Sequence, residues 1–181
     1  MWHIIAAEPG CGLYVGLKKG SSKEEVEKAV QEGTIMELLH FFEVKPGESY
    51  FIPSGTIHAI GKGVTLMEIQ QSSNVTYRLY DYKRVGKDGK ERELHLAKAL
   101  QVMDHKVYNP ASFEEPIIGE CAYFRASLEN ALEVKAPATS FASITFLEGK
   151  GKVDGLDFQK FDAFFIPAGK TAYMEGNQSS M

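Results

Sequence analysis

The sequence is poor in cysteine: Cys11 and Cys121 are the only two among 181 residues, and neither sits in a metal-type or redox-type spacing. Two scattered thiols exclude a disulfide framework and read as the reduced cysteines of a cytosolic protein. Clustered basic charge is lacking too. The net charge is −4, with no basic block and no stripe of aromatic and basic residues, which argues against nucleic acid as a partner. No apolar run approaches the roughly 20 residues that span a bilayer. The opening Met1-Trp2-His3-Ile4-Ile5 has neither the charged nor the long apolar region of a signal peptide. A cytoplasmic protein without membrane contact is expected.

What is present suits a globular chain. Hydrophobic residues make up 44% and charged residues 24%, enough for a core without disulfide staples, and the length fits one domain or two small ones. Two apolar strands open the chain, Trp2–Ala7 and Gly12–Leu17, separated by the turn residues Glu8-Pro9-Gly10. A chain that begins inside a core strand is expected to lack the first elements of its fold. Ser22 and Glu25 have capping-box spacing and open a helix with Val26, Ala29 and Val30 on one face and Gly33 at its end. Thr34 and Glu37 repeat that spacing ahead of Ile35, Leu38, Leu39 and Phe42, which predicts a second amphipathic helix. The pair forms a helical insertion over residues 21–42.

From Glu43 onward the pattern turns to short β-branched and aromatic runs, at residues 49–52, 56–60, 64–70 and 75–80, punctuated by Gly, Pro, Asn and Asp. Such spacing predicts a sandwich or jelly roll rather than βαβ units. Residues 84–93 read as a charged loop and 94–103 as a helix with Leu96, Leu100 and Met103 on one face. Beyond Asn109-Pro110, strands are expected at 121–127, 132–135, 141–147 and 163–166. An internal repeat organises the whole: Tyr50-Phe51-Ile52-Pro53-Ser54-Gly55 returns 114 residues later as Phe164-Phe165-Ile166-Pro167-Ala168-Gly169. Each copy is a strand entering a Pro-x-Gly turn, which implies two related β domains joined by a helix.

The first copy carries chemistry. With Gly47 before it and His58 after it, the spacing is Gly-x5-Pro-x-Gly-x2-His, the first half of the second cupin motif. Gly47 allows the turn into the strand, Pro53 stiffens the exit and Gly55 permits a tight reversal. His58 is then set on the next strand, facing the barrel interior, where imidazole is a standard ligand for zinc or iron. A lone histidine would read as a hydrogen-bonded core residue; the full motif favours the ligand. The second copy has Ala172 in place of His58 and Phe161 in place of Gly47, so it keeps the fold signal without the ligand. Downstream, a strand, a polar turn and a strand would put Glu68, Gln70, Thr76 and Arg78 on one face. That set is either a salt bridge across a hairpin or a ligand site.

The runs Phe51-Ile52-Pro53-Ser54-Gly55-Thr56-Ile57-His58-Ala59-Ile60-Gly61, Met67-Glu68-Ile69-Gln70-Gln71-Ser72-Ser73 and Thr76-Tyr77-Arg78-Leu79-Tyr80-Asp81-Tyr82 resemble the short bacterial form of type I mannose-6-phosphate isomerase. The resemblance covers nearly the whole chain, including the helical insertion and the Glu93-Leu94-His95 segment. It implies a mostly β fold, a cupin jelly roll in two cupin-like domains with short helical insertions. Residues 1–84 would be an N-terminally incomplete catalytic-type cupin, 85–108 a linker and helix, and 109–181 a degenerate cupin without metal. It also implies interconversion of mannose 6-phosphate and fructose 6-phosphate with one zinc ion. His58 falls on the last zinc-ligand position, Arg78 on the arginine placed at the sugar, Glu68 on an active-site carboxylate, and Arg84 on a cation suited to the phosphate. Gln70 is the further candidate for binding substrate.

Aldose–ketose exchange needs a base, a group to hold charge on oxygen and a phosphate anchor, and Glu68 is the preferred base. The other zinc ligands the resemblance implies, a Gln-x-His pair and a Glu just before the Trp2 strand, do not occur in the sequence. Catalytic zinc takes about three protein ligands, so two readings stay open: an isomerase whose missing part lies on a longer product or partner, and a stand-alone cupin that binds a sugar phosphate or a partner protein without turnover. Asn177-Gln178-Ser179-Ser180-Met181 is expected to stop short of a closing strand, and either low stability or a homodimer covering the incomplete first cupin is expected.

Overall fold

The computed structural model describes residues 1–82, 84–86 and 89–177, so the segment at 178–181 lies outside the described residues. The chain divides into two units, Met1–Ser112 and Phe113–Met181.

Unit 1 holds two antiparallel three-stranded sheets. One has the order β4-β1-β6, formed by Ser49–Tyr50, Trp2–Ala7 and Val64–Glu68. The other has the order β3-β2-β5, formed by Leu39–Glu43, Gly12–Leu17 and His58–Ile60. Trp2 and Ile4 of β1 share a core with Leu13 and Val15 of β2, Val44 and Tyr108. A bulge in β2 then changes faces. Register with β3 shifts between Tyr14 and Leu17, and Gly16 has φ +65°. Leu17 therefore joins a second core with Val26, Ala29, Val30, Ile35, Leu39, Leu79, Ala99, Leu100 and Met103.

Helix α1, Lys23–Glu32, carries the expected capping box: Ser22 Oγ accepts from Glu25 N–H and Glu25 accepts from Ser22 N–H. Gly33 closes it in the left-handed region. The second capping box does not form. Thr34 makes no side-chain cap, and α2 is the four-residue Ile35–Leu38. The predicted helix gives way to strand β3 because Phe41 and Phe42 find cross-strand partners in Tyr14 and Leu13 on β2. Tertiary pairing overrides the helical spacing there. Helix α3, Leu96–Val102, packs Ala99 and Leu100 into the second core of unit 1.

The strand expected at residues 75–80 is likewise absent: no regular element occurs there. At its centre the backbone of Arg78 bonds to His95 instead. Arg78 N–H donates to His95 Nδ1 at 3.1 Å, and His95 N–H donates to the Arg78 carbonyl at 2.8 Å. Leu79 is thereby committed to the helix-side core.

Unit 2 is built from β7 (Ile117–Glu120), β8 (Arg125–Ser127), β9 (Glu133–Lys135), β10 (Ala142–Thr145), β11 (Lys150–Val153), β12 (Leu156–Gln159), β13 (Ala163–Ile166) and β14 (Thr171–Asn177). The run at 121–127, expected as one strand, turns at Cys121, whose N–H donates to the Phe124 carbonyl, and only its end forms β8, paired with β7. The main sheet runs β12-β11-β14-β9, with β10-β13 as a separate pair. Its core includes Ile144, Phe146, Phe158, Ile166, Ala172 and Met174, with the rings of Phe146 and Phe158 stacked at 3.6 Å.

The repeat is present in atomic detail. In unit 1, Glu48 N–H donates to the Lys45 carbonyl while Lys45 N–H donates to the Glu48 carboxylate. In unit 2, Asp162 N–H donates to the Gln159 carbonyl while Gln159 N–H donates to the Asp162 carboxylate. Gly47 and Phe161, at matching positions, have φ of +91° and +72°. The Pro-x-Gly turns match as well, with Thr56 N–H on the Pro53 carbonyl and Lys170 N–H on that of Pro167. Among the described residues no helix is long and apolar enough to cross a membrane.

Candidate active site

His58 opens β5 opposite Val15 of β2. Its Nδ1 lies 2.7 Å from the Thr56 carbonyl. A carbonyl only accepts, so Nδ1 carries the proton, and Nε2 is the nitrogen left to present a lone pair in the corresponding tautomer. Trp2, 3% exposed, meets the His58 ring edge-to-face at 5.2 Å. The same indole donates from Nε1 to Glu68 Oε1 at 3.0 Å. Register explains that bond, because Trp2 of β1 sits opposite Glu68 of β6. One buried tryptophan thus touches both His58 and Glu68, which are themselves exposed. Gln70, two residues past the end of β6, is exposed.

His3 is a buried, hydrogen-bonded residue. Strand alternation turns it away from the Trp2 core, and its Nδ1 pairs with Ser49 Oγ at 2.9 Å. Burial holds its pKa below the ordinary histidine value.

The arginines bond elsewhere. Because the second strand of the expected hairpin does not form, Glu68, Gln70, Thr76 and Arg78 do not share a strand-built face. Arg78 donates from Nη1 to the Glu93 carbonyl at 3.0 Å, and among the described residues no ion pair joins it to Glu68. Arg84 donates from Nη2 to Asp81 Oδ1 at 2.7 Å. Trp2, Asp81, Arg92 and His95 were not singled out by sequence reasoning. The sequence signal closest to them was the run Tyr80-Asp81-Tyr82 and the Glu93-Leu94-His95 segment, which mark conspicuous positions without saying what they bond.

A zinc ion does not fit the residues present. Among the described residues no group of three or more His, Cys, Asp or Glu side chains could hold a metal ion, whereas catalytic zinc takes about three protein ligands. His58 Nε2 is a competent donor by itself, with its other nitrogen fixed by a carbonyl in the manner of metal-bound imidazoles.

Two sheets enclosing the Trp2 core, with the histidine-bearing turn at their edge, define unit 1 as a cupin-type jelly roll. The chain is a homologue of the mannose-6-phosphate isomerases. It is 36% identical over 93% of its length to mannose-6-phosphate isomerase ManA of Bacillus subtilis (strain 168), and 40% identical over 56% of its length to the mannose-6-phosphate isomerase of Streptococcus mutans. The crystal structure of the mannose 6-phosphate isomerase from Bacillus subtilis superposes over 98% of the chain with a TM-score of 0.83 and 30% identity. A putative mannosephosphate isomerase from Archaeoglobus fulgidus, at 19% identity and a TM-score of 0.64, shares the fold. The chain spans 58% of the Bacillus subtilis ManA sequence and 61% of the crystallised chain. No family model matches the sequence.

Proposed function

We propose that this chain acts, in the cytoplasm, as an aldose–ketose isomerase that interconverts mannose 6-phosphate and fructose 6-phosphate. The observation that carries this reading is the 36% identity to a mannose-6-phosphate isomerase over 93% of the chain. Glu68 is the proton acceptor, oriented by the Trp2 indole. Arg78 spends one N–H on the Glu93 carbonyl and keeps the rest of its planar fork for the charge that develops on an enediolate oxygen. Gln70 hydrogen-bonds sugar hydroxyls and Arg84 takes the phosphate. Among the described residues, His58 is the candidate zinc ligand, and the rest of a three-ligand set is not found there.

A second reading is favoured by the lack of a three-ligand group among the described residues. In it the chain is a cupin that binds a sugar, a sugar phosphate or a partner protein and turns nothing over. A coupled isomerase assay on the 181-residue chain, with metal analysis of the same sample, separates the two. Turnover with equimolar zinc, lowered about a hundredfold or more by Arg78→Ala, supports the isomerase. An inactive chain free of zinc would overturn the claim that this chain is itself an enzyme.

A further inference from the structure

Asp81 follows the irregular stretch after β6, and its side chain is only 7% exposed. Two arginines converge on it. Arg84 donates from Nη2 to Oδ1 at 2.7 Å and from Nε to the Asp81 carbonyl at 3.4 Å. Arg92 donates from Nε to Oδ2 at 2.7 Å and from Nη2 to Oδ1. The loop between them is closed at its base by a Val85–Glu91 bridge and by Gly86 N–H on the Lys90 carbonyl. Arg84 also lies over the Tyr82 ring at 5.4 Å, which restricts its swing.

One buried carboxylate facing two guanidiniums leaves a local charge of +1. A simple ion pair to close the loop needs one arginine. Each guanidinium offers five N–H donors, and Asp81 engages one edge of each fork, so each keeps an Nη1 amino group pointing elsewhere. The two side chains are 62% and 51% exposed, so those remaining donors reach solvent. The carbonyl of Glu93, next to Arg92, holds the Arg78 guanidinium, which brings a third arginine to the same loop base. Planar forks held by a shared carboxylate suit the several oxygens of a phosphate dianion, and their fixed orientation lowers the entropic cost of binding.

We propose that Asp81, Arg84 and Arg92 form a clamp for a phosphomonoester, with Asp81 as the positioning residue and Arg92 as a second anion-binding cation beside Arg84. The clamp deepens the sugar-phosphate reading above and rests on it for the identity of the ester. Calorimetric titration of the full chain with fructose 6-phosphate, inorganic phosphate and fructose tests it. Both phosphate-bearing probes are expected to bind, and Arg92→Gln to weaken both by about ten- to a hundredfold, with fructose binding unmoved. Arg92→Lys, which keeps charge without the fork, should recover part of that loss.

If Arg92→Gln lowers thermal stability but leaves phosphate affinity unchanged, the arginine is a loop clasp and the clamp is wrong. Failure of the unsubstituted chain to bind either phosphate probe at millimolar concentration overturns it equally. Because Asp81→Asn removes a buried partner of two cations and is at risk of not folding, the half-exposed Arg84→Gln and Arg92→Gln carry the test. A chain that binds fructose 6-phosphate through Arg92 without turnover keeps the clamp and removes the catalytic reading. An active chain whose KM is unmoved by Arg92→Gln does the reverse.

Discussion

At the scale of single residues, Asp81 concentrates the strongest electrostatics in unit 1. Hydrogen bonds from Arg92, and then from Arg84, hold its carboxyl well below the ordinary carboxylate range, against the opposing effect of burial. A folded-state pKa below the unfolded one means that the stabilisation is fully present above the unfolded value, about 3.9 for aspartate. It is lost only as pH falls below that towards the folded value. The difference in melting temperature between the unsubstituted chain and Arg92→Gln, which removes the largest cause of that shift, should therefore be flat from neutral pH to about pH 5 and shrink in stronger acid. A difference that instead changed between pH 6 and 8 would place the coupling on another group. Residue-scale legibility was uneven for a physical reason. His58, Pro53 and Gly55 form a local turn whose spacing can be read along the chain. Trp2 meets Glu68 only through the β1–β6 register, and Arg92 meets Asp81 only once the loop closes, so neither contact has a signature in nearby sequence.

At the scale of elements, spacing was a sound guide where one partner decided the outcome and a poor one where two competed. The α1 capping box and its glycine cap are local, and both are present. Leu39 to Phe42 satisfied a helical period, yet pairing with Leu17, Tyr14 and Leu13 of β2 captured them. The β11–β12 hairpin went unread although its turn, Asp154-Gly155, is a strong two-residue hairpin signal, and both residues have positive φ. Gly16 provides the sharpest element-level test, because the bulge it makes directs Leu17 into the helix-side core. A Cβ there would lie 2.1 Å from Tyr108 Cβ, on a backbone with φ +65°. Gly16→Ala should destabilise unit 1 by about 3 kcal/mol, strain and overpacking together. Gly155→Ala has a similar positive φ and nothing within 4 Å, so only strain applies and about 1 kcal/mol is expected. Urea midpoints for the two variants should separate clearly; equal losses would mean that the Tyr108 contact relaxes freely.

Across the whole molecule, one turn appears twice and serves differently. Backbone and carboxylate bonds at Lys45–Glu48 are reproduced at Gln159–Asp162, and Phe161 even adopts the left-handed conformation that Gly47 adopts in unit 1. What differs is the space at the end of the motif. His58 stands exposed with one face against Trp2, whereas Ala172 is 4% exposed and enclosed with Ile144, Phe146, Ile166 and Met174. Unit 2 has filled with side chains the position where unit 1 presents an imidazole. Restoring the histidine should therefore fail. Ala172→His must fit a larger polar ring into a packed core, which adds overpacking to the burial of two ring nitrogens and costs about 3 kcal/mol or more. His58→Ala, at an exposed position, should cost less than about 1 kcal/mol. The check is the asymmetry of the pair in chemical denaturation. An Ala172→His chain that kept its stability and took up an equivalent of zinc or nickel would mean that the second barrel is vacant, and the loss of its histidine would then need an explanation other than packing.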